Sequence, residues 1–214
     1  MTTEKRQETI RRILNGRRDD VCVVIENVND PHNIGAVARS FDCIGGLDLH
    51  IINTKRVTLK GWRNTSIRAD RWLRVHIWQA VESCYARLRR DGFRILAGDL
   101  SGTPQSIYDI DFTSFKPALV FGEEHAGISD EARTLADGSF IIPQIGASQS
   151  LNISVAAAVT FYELFRQRTN AGMTKTTLSE PDYNALFEKW SAVMPEDRIV
   201  VEYGDADGIN PLGE

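Results

Sequence analysis

The sequence has 214 residues, 42% hydrophobic and 25% charged, with a formal net charge of −4. That size carries one α/β domain with a real core and short terminal additions, and no apolar run approaches a membrane span or a signal-peptide core. The three cysteines (Cys22, Cys43, Cys84) are odd in number and form no C-x-x-C pair, which argues against a disulfide framework or a structural zinc site and fits a reducing cytoplasm.

A net charge of −4 taken alone discourages a polyanionic partner, but the distribution is uneven. Residues 1–18 hold Lys5, Arg6, Arg11, Arg12, Arg17 and Arg18 against two acids, whereas nine acids between Glu180 and Glu214 face only Lys189 and Arg198. A basic head and an acidic tail therefore average to a misleading total. Residues 4–18 read as a short helix with Ile10, Ile13 and Leu14 as its thin apolar stripe. It serves either as a solvated helix docked by those residues or as an arm that tracks phosphates.

Val21 to Ile25 is a nearly continuous apolar run, the pattern of a strand buried on both faces of a parallel sheet. The turn-rich loop Glu26 to Asn33 follows, and a helix of small residues opens at Ile34 with Asn33 as its expected N-cap. Gly45-Gly46 ends that helix, and Leu47 to Ile52 is the next strand. Residues 53–78 read as a basic loop with Trp62, Trp72 and Trp78 interleaved. Such a mixture suits phosphates and unstacked bases, and equally a loop whose tryptophans are partly buried. A helix over Glu82–Asp91, a strand over Phe93–Ala97 and a strand over Ala118–Phe121 follow.

Ser129 is placed to cap a further helix, with Asp130 and Glu131 favouring its dipole. Ile141 and Ile142 read as a buried strand end. After Pro143 and the small-residue loop Gly146 to Gln149 comes a long helical run to Arg168, with Leu151, Val155, Val159, Tyr162 and Phe165 on one face. Ser150, Asn152 and Ser154 crowd its entry, more polar groups than capping needs, so a ligand is expected there. A weak helix over Tyr183–Trp190 precedes the acidic end. The alternation gives an α/β fold with a mostly parallel sheet flanked by helices and ligand loops at the strands' carboxyl ends. The expected divisions are a basic arm (1–20), a central domain (21–170) and a C-terminal helical extension with acidic tail (171–214).

The loops narrow the chemistry. Gly122 and Gly127 have P-loop spacing, but Ile128 stands where lysine is needed, and Glu123 and Glu124 repel a polyphosphate. That loop suits a cationic or neutral ligand, with the glycines allowing close backbone approach. The turn at Gly98–Gly102 lacks a dinucleotide fingerprint. The four histidines are scattered, so no metal set is expected. A triad of Ser150, His125 and Asp99 lacks a nucleophile elbow.

Three stretches in order, Asn33–Arg39 (NIGAVAR), Phe121–Ser129 (FGEEHAGIS) and Ile142–Ala157 (IPQIGASQSLNISVAA), resemble the motifs of the SpoU branch of the SPOUT methyltransferases. The short basic head and helical C-terminal extension are most similar to that branch's tRNA (guanosine-2′-O-)methyltransferases. The resemblance implies S-adenosylmethionine (AdoMet) as methyl donor, no metal, a tRNA substrate with a D-loop guanosine as target, a homodimer, and a deep trefoil knot in the C-terminal half. The same chemistry on ribosomal RNA or the tRNA wobble base, or a non-catalytic RNA-binding protein on the same fold, are the alternatives.

The resemblance also assigns residues. Arg39 matches the catalytic arginine, with Asn33, Glu124, Ser150 and Asn152 ordering it and the ribose. Gly122, Gly127, Ile142 and Leu151 meet the donor largely through backbone, with Asp99 and Leu100 at its edge. Because arginine stays protonated, the 2′-hydroxyl proton goes either to an RNA phosphate that Arg39 orients or to an activated Arg39. Arg6, Arg11, Arg12, Arg17, Arg18, Arg166 and Arg168 are the expected RNA contacts. One departure from the family pattern stands before Ser150. Gly146-Ala147-Ser148-Gln149 replaces a methionine-rich stretch, which changes how a target base is held.

Overall fold

The computed structural model describes residues 4–54, 69–100, 102–123, 126–148, 150–192 and 200–203. Lys55, Arg56, Lys60, Trp62, Arg63 and Arg68 of the expected basic loop lie outside the described residues, as do Glu124, His125, Gln149 and the end of the acidic tail.

In chain order the elements are α1 (Glu4–Leu14), β1 (Arg18–Glu26), α2 (Pro31–Cys43), β2 (Gly46–Ile52), β3 (Arg74–Trp78), α3 (Val81–Arg90), β4 (Phe93–Gly98), β5 (Gln105–Ser106), β6 (Lys116–Phe121), α4 (Asp130–Leu135), β7 (Gly138–Ile141), α5 (Ile153–Asn170), α6 (Glu180–Ala192) and β8 (Val200–Tyr203). The strands form one sheet in the order β5-β7-β4-β6-β1-β2-β3-β8, and every pairing is parallel.

The central strand β1 explains its own sequence. Val21, Val23 and Ile25 join a core shared with Phe41 of α2 and Phe161 of α5. The alternate residues Cys22 and Val24 join a second core with Val81, Tyr85 and Leu88 of α3 and Ala132 of α4. A strand covered on both faces needs apolar residues at every position, which is the run seen in the sequence. A third cluster packs α1 on α6 through Ile10, Leu14, Leu186 and Trp190, so the docked reading of the N-terminal helix is the one the fold adopts.

Several local expectations are corrected. The N-cap of α2 is Asp30, whose carboxylate accepts from the His32 N–H at 2.9 Å. Pro31 supplies the first helical residue at no hydrogen-bond cost, and Asn33 falls inside the first turn. Gly45, after the helix, takes φ +83°, and a Cβ there would meet the Gly16 carbonyl oxygen at 2.2 Å, so both conformation and space demand glycine. Arg74–Trp78, read as loop, is a strand. Its polar side chains are satisfied inside the fold: Arg74 donates to both Asp48 oxygens at 2.8 and 2.7 Å, and His76 Nε2 lies 2.8 Å from Asp48. Trp78 is buried and donates to His50 Nδ1 at 3.0 Å, while Trp72 packs edge-on against Trp190. Trp78 is therefore a core residue, and Trp72 is a half-buried one packed against the cluster of α1 and α6. Burial holds His50 well below the usual histidine range, so it stays neutral in the sheet.

The basic head is divided by the fold. Arg17, Arg18 and Arg168 are only 2%, 7% and 3% exposed, which corrects their expected place among the RNA contacts. Arg17 pairs with Asp42 and donates to the Gly46 carbonyl at 2.6 Å. Arg18 and Arg168 both donate to Asp20, at 2.9 Å each. Arg18 also holds the carbonyls of Met173 and Lys175 at 2.8 and 2.9 Å, which straps the segment after α5 onto the start of β1. Arg6 reaches the Trp190 carbonyl at 3.3 Å, Arg11 lies over the Phe187 ring, and Arg11 and Arg12 are exposed. Arg166 is exposed and pairs with Glu163 at 2.8 Å.

Helix α5 turns its faces differently from the expected pattern. Ile153, Ala157, Phe161 and Leu164 are buried, while Val155, Tyr162 and Phe165 are 47%, 54% and 43% exposed. The helix is apolar on two sides, and the row chosen from periodicity includes the outward one. No helix among the described residues is long and apolar enough to cross a membrane.

Candidate active site

A cavity of about 440 Å³ opens at the carboxyl ends of β4, β6 and β7. In a parallel sheet those ends are where loops diverge and ligands bind. Its lining includes Asp99 and Leu100 after β4, Gly122 and Gly127 after β6, and Ile142, Ser150 and Leu151 between β7 and α5. All six residues expected around the donor therefore meet in one place, with Ser150 beside them.

Gly122, Glu123, Ala126 and Gly127 line one wall of the cavity, closed as a hairpin by the antiparallel bridge between Glu123 and Gly127. Glu123 N–H donates to the Gly127 carbonyl at 3.2 Å, and Gly127 N–H returns to the Glu123 carbonyl at 2.8 Å. A Cβ on Gly122 would lie 2.2 Å from the Gly127 carbonyl, so the hairpin folds directly against a bare backbone. Gly127 itself sits at φ +66°. The glycines first noticed for their spacing thus let the hairpin close and leave room beside it. Ser129 caps α4, its hydroxyl accepting from Ala132 N–H at 3.1 Å.

The charges fit a cation better than a polyphosphate. Asp99 and Glu123 both line the cavity, and the cation that lines it with them, Arg133, is paired with Asp99 at 2.6 Å. The hydrogen bond it donates to Asp99 raises the Arg133 guanidinium further above its ordinary range. Arg133 was not expected from the sequence, nor were Phe121, Phe140 and Gln144, which also line the cavity. The available signal for Arg133 was its place one turn after the Ser129 cap, three residues beyond Asp130, with which it also pairs. Among the described residues no group of three His, Cys, Asp or Glu side chains stands ready to hold a metal ion.

The entry to α5 explains its crowding of polar residues. Asn152 is the N-cap: its Oδ1 accepts from Ser154 N–H at 2.9 Å and from the Ser154 hydroxyl at 2.6 Å. Its Nδ2 simultaneously donates to Asn33 Oδ1 at 3.0 Å. One amide therefore caps α5 and ties it to the first turn of α2, across 119 positions of sequence. Ser154 belongs to the cap.

Arg39 does not line the 440 Å³ cavity. It is exposed and lines a separate hollow of about 370 Å³ with Ala36, Ser40, Cys43 and Tyr162. The Asn33–Asn152 bond stands at the junction: Asn152 follows the cavity residue Leu151, and Asn33 precedes Ala36 by one turn of α2. The chain thus presents a carboxylate-bearing, glycine-walled cavity and, beside it, an exposed guanidinium on a helix of small residues.

The family described as SpoU rRNA Methylase matches residues 20–162, a span that contains the cavity, the two asparagines and Arg39. Among curated proteins, a tRNA (guanosine(18)-2′-O)-methyltransferase of Thermus thermophilus is 35% identical over 190 residues, covering 88% of this chain and 96% of that protein. Among solved structures, the A. aeolicus TrmH/SpoU tRNA modifying enzyme superposes with a TM-score of 0.82 at 31% identity, covering 88% of this chain and 96% of that one. The SpoU methyltransferase AviRb of Streptomyces viridochromogenes, solved in complex with AdoMet, superposes with a TM-score of 0.59 at 26% identity, covering 73% of this chain and 62% of that one. With the family model matched over residues 20–162 and a relative 35% identical along 88% of this chain, the chain belongs to the SpoU rRNA Methylase family.

Proposed function

We propose that this protein is an AdoMet-dependent tRNA 2′-O-methyltransferase that modifies the ribose of a D-loop guanosine, the position named for its relatives. The observation that carries the reading is the convergence of Asp99, Leu100, Gly122, Gly127, Ile142 and Leu151 on one cavity, joined to the α2 helix of Arg39 by the Asn33–Asn152 bond. The relatives' names support tRNA as substrate, and the AdoMet bound by AviRb supports the donor.

The residues fit the donor. A cavity of about 440 Å³ lies within the usual range for small-molecule sites, and its two carboxylates against one paired arginine tolerate a positive ligand. Bound there, AdoMet supplies an electrophilic methyl group. The chain supplies the rest. Backbone at Gly122, Ile142 and Leu151 lies open to the donor, and Asp99 and Leu100 bound its edge. Ser150 stands on the cavity wall towards the ribose, and Asn33 and Asn152 hold that wall to α2. A ribose hydroxyl is a poor nucleophile until its proton leaves. Arg39, charged and exposed, holds an RNA phosphate oxygen and stabilises the developing alkoxide; the phosphate takes the proton. Glu124, by its place in the matching motif, is proposed to order this arginine.

Two larger features belong to the same proposal. The chain forms a homodimer through the outward face of α5, where Val155, Tyr162 and Phe165 are exposed beside Arg39's hollow; uncovered apolar side chains grouped on one helix favour burial against a second copy. The C-terminal half is tied in a deep trefoil knot, a reading supported by β6 lying between β4 and β1 while β7 returns outside β4. Residues 1–20, 21–170 and 171–214 remain the proposed divisions, with the first and last packed together through α1 and α6.

Three measurements bear on this reading. Incubation with methyl-tritiated AdoMet and unmodified bulk tRNA is expected to label the tRNA; an unlabelled product with bound AdoMet would instead favour a non-catalytic RNA binder. The Gly122→Ala variant is expected to weaken AdoMet binding by roughly tenfold or more in a calorimetric titration, because the hairpin backbone must move to admit the methyl group. Replacing exposed Arg11 and Arg12 with alanine is expected to weaken tRNA binding and lower the slope of log Kd against log salt by about one per arginine, with AdoMet affinity unchanged.

A further inference from the structure

Glu26, the last residue of β1, is 1% exposed, yet it is a carboxylate. Its Oε2 accepts the Ser129 backbone N–H at 2.9 Å, a contact between positions 103 apart. Its Oε1 is buried with no hydrogen-bond partner among the described residues. The hydroxyl of Tyr85, on the same face of the sheet, is also buried without one. The Tyr85 phenol is pushed up first by burial and then by the negative charge of Glu26. A buried carboxylate with a single hydrogen bond is costly, and every other core side chain of β1 from Val21 to Ile25 is apolar. Nothing in the packing of β1 asks for an acid at its end.

What the acid does follows from where Ser129 stands. Gly122, Glu123, Ala126 and Gly127 line the cavity, and the Glu123–Gly127 bridge makes that wall a hairpin two residues before Ser129. At its start the hairpin is fixed by Gly122 packing on Gly127. At its end it is fixed by Ser129, which also caps the helix that carries Arg133 to Asp99. Glu26 therefore fastens the Ser129 end of that wall to the strand that leads into α2, the helix of Asn33 and Arg39. A backbone N–H held by a buried carboxylate makes a short, directional restraint.

We propose that Glu26 is a positioning residue that sets the wall of Gly122, Glu123, Ala126 and Gly127 against the donor, acting through the Ser129 N–H. The assignment rests on the AdoMet reading above. The distinguishing pair is Glu26→Gln, which keeps the reach and an acceptor, and Glu26→Asp, which keeps the charge and withdraws the acceptor. In Glu26→Asp the Kd and KM for AdoMet rise about tenfold, with kcat at saturating AdoMet and KM for tRNA within about threefold of wild type. In Glu26→Gln all four stay within about threefold of wild type. Amide hydrogen exchange on Glu26→Asp shows faster exchange at Ser129 with the β1 and β6 core unchanged, which separates a loosened wall from a loosened fold. The proposal is overturned if Glu26→Asp binds AdoMet like the wild type, if it loses kcat with KM unchanged, or if Glu26→Gln falls as far as Glu26→Asp. Unchanged exchange at Ser129, or faster exchange throughout the core, overturns it too. Failure of the wild type to bind AdoMet overturns both this assignment and the function it rests on, whereas wild-type binding with unaffected variants overturns the assignment alone.

Discussion

Replacing Arg39 with alanine is expected to lower kcat for tRNA methylation by about a hundred- to a thousandfold, the usual cost of removing a group that stabilises developing charge. AdoMet binding is expected to stay near that of the wild type. The second half of the prediction comes from the geometry: Arg39 is absent from the donor cavity and stands in its own hollow on α2. Loss through a distorted cavity would weaken AdoMet binding together with turnover. Arg39→Lys separates charge from shape, because an ammonium lacks the planar fork that grips a phosphate. Single-turnover rates at saturating AdoMet and tRNA, beside a calorimetric titration of AdoMet, test both halves. Retained turnover in Arg39→Ala would remove the assigned role.

Replacing Asp20 with asparagine is expected to destabilise the fold by about 3–5 kcal/mol, because it leaves two buried guanidiniums without their counter-charge. Arg18 and Arg168 are 7% and 3% exposed, and Asp20 accepts from both. For a chain of this size that loss lowers Tm by roughly 10 °C in a thermal melt. The same residue sets an acid limit. Burial by itself raises the Asp20 carboxyl, but the hydrogen bonds and charges of Arg18 and Arg168 outweigh it and hold the group below its ordinary 3.8. A carboxyl whose pKa is lower in the folded state contributes stability above its unfolded value, and that contribution fades as pH falls through the folded one. The acid limb of a melt series below about pH 4 should therefore be shallower in Asp20→Asn than in the wild type. Since Asp20 lies away from the donor cavity, the variant should bind AdoMet normally below its lowered melting temperature.

The two predictions also mark what could be read from the sequence. The loops that line the cavity were legible because strand ends show as breaks in apolar runs, Phe121 before Gly122 and Ile142 before Pro143, whereas their assignment to a donor came from the resemblance to the family's motifs. The strand β1 was legible because burial on both faces leaves no polar position between Val21 and Ile25. The long-range partners were not. Arg168 pairs with Asp20 across 148 positions, and no local pattern distinguishes an arginine that will be buried against a distant acid from one that stays in solvent. Strand β3 was hidden for the same reason: Arg74 and His76 look like loop residues until Asp48 satisfies them. The orientation of α5 was ambiguous because its apolar residues occupy two faces, and periodicity alone does not rank them. Arg39 was singled out through the resemblance, but its separation from the cavity was not foreseen, since that depends on how α2 crosses α5.

These observations converge on a division of labour between two packed halves. On the proposed function the carboxyl ends of β4, β6 and β7 form the donor wall, α2 carries the reactive arginine, and the paired amides of Asn33 and Asn152 join them. Mapping 2′-O-methylation nucleotide by nucleotide in unmodified tRNA, after incubation with the wild-type protein and AdoMet, tests the account most directly. The account predicts a new 2′-O-methyl group on the guanosine at position 18 of the D-loop. Methylation confined to ribosomal RNA or to the wobble base, or none on any RNA, would contradict it.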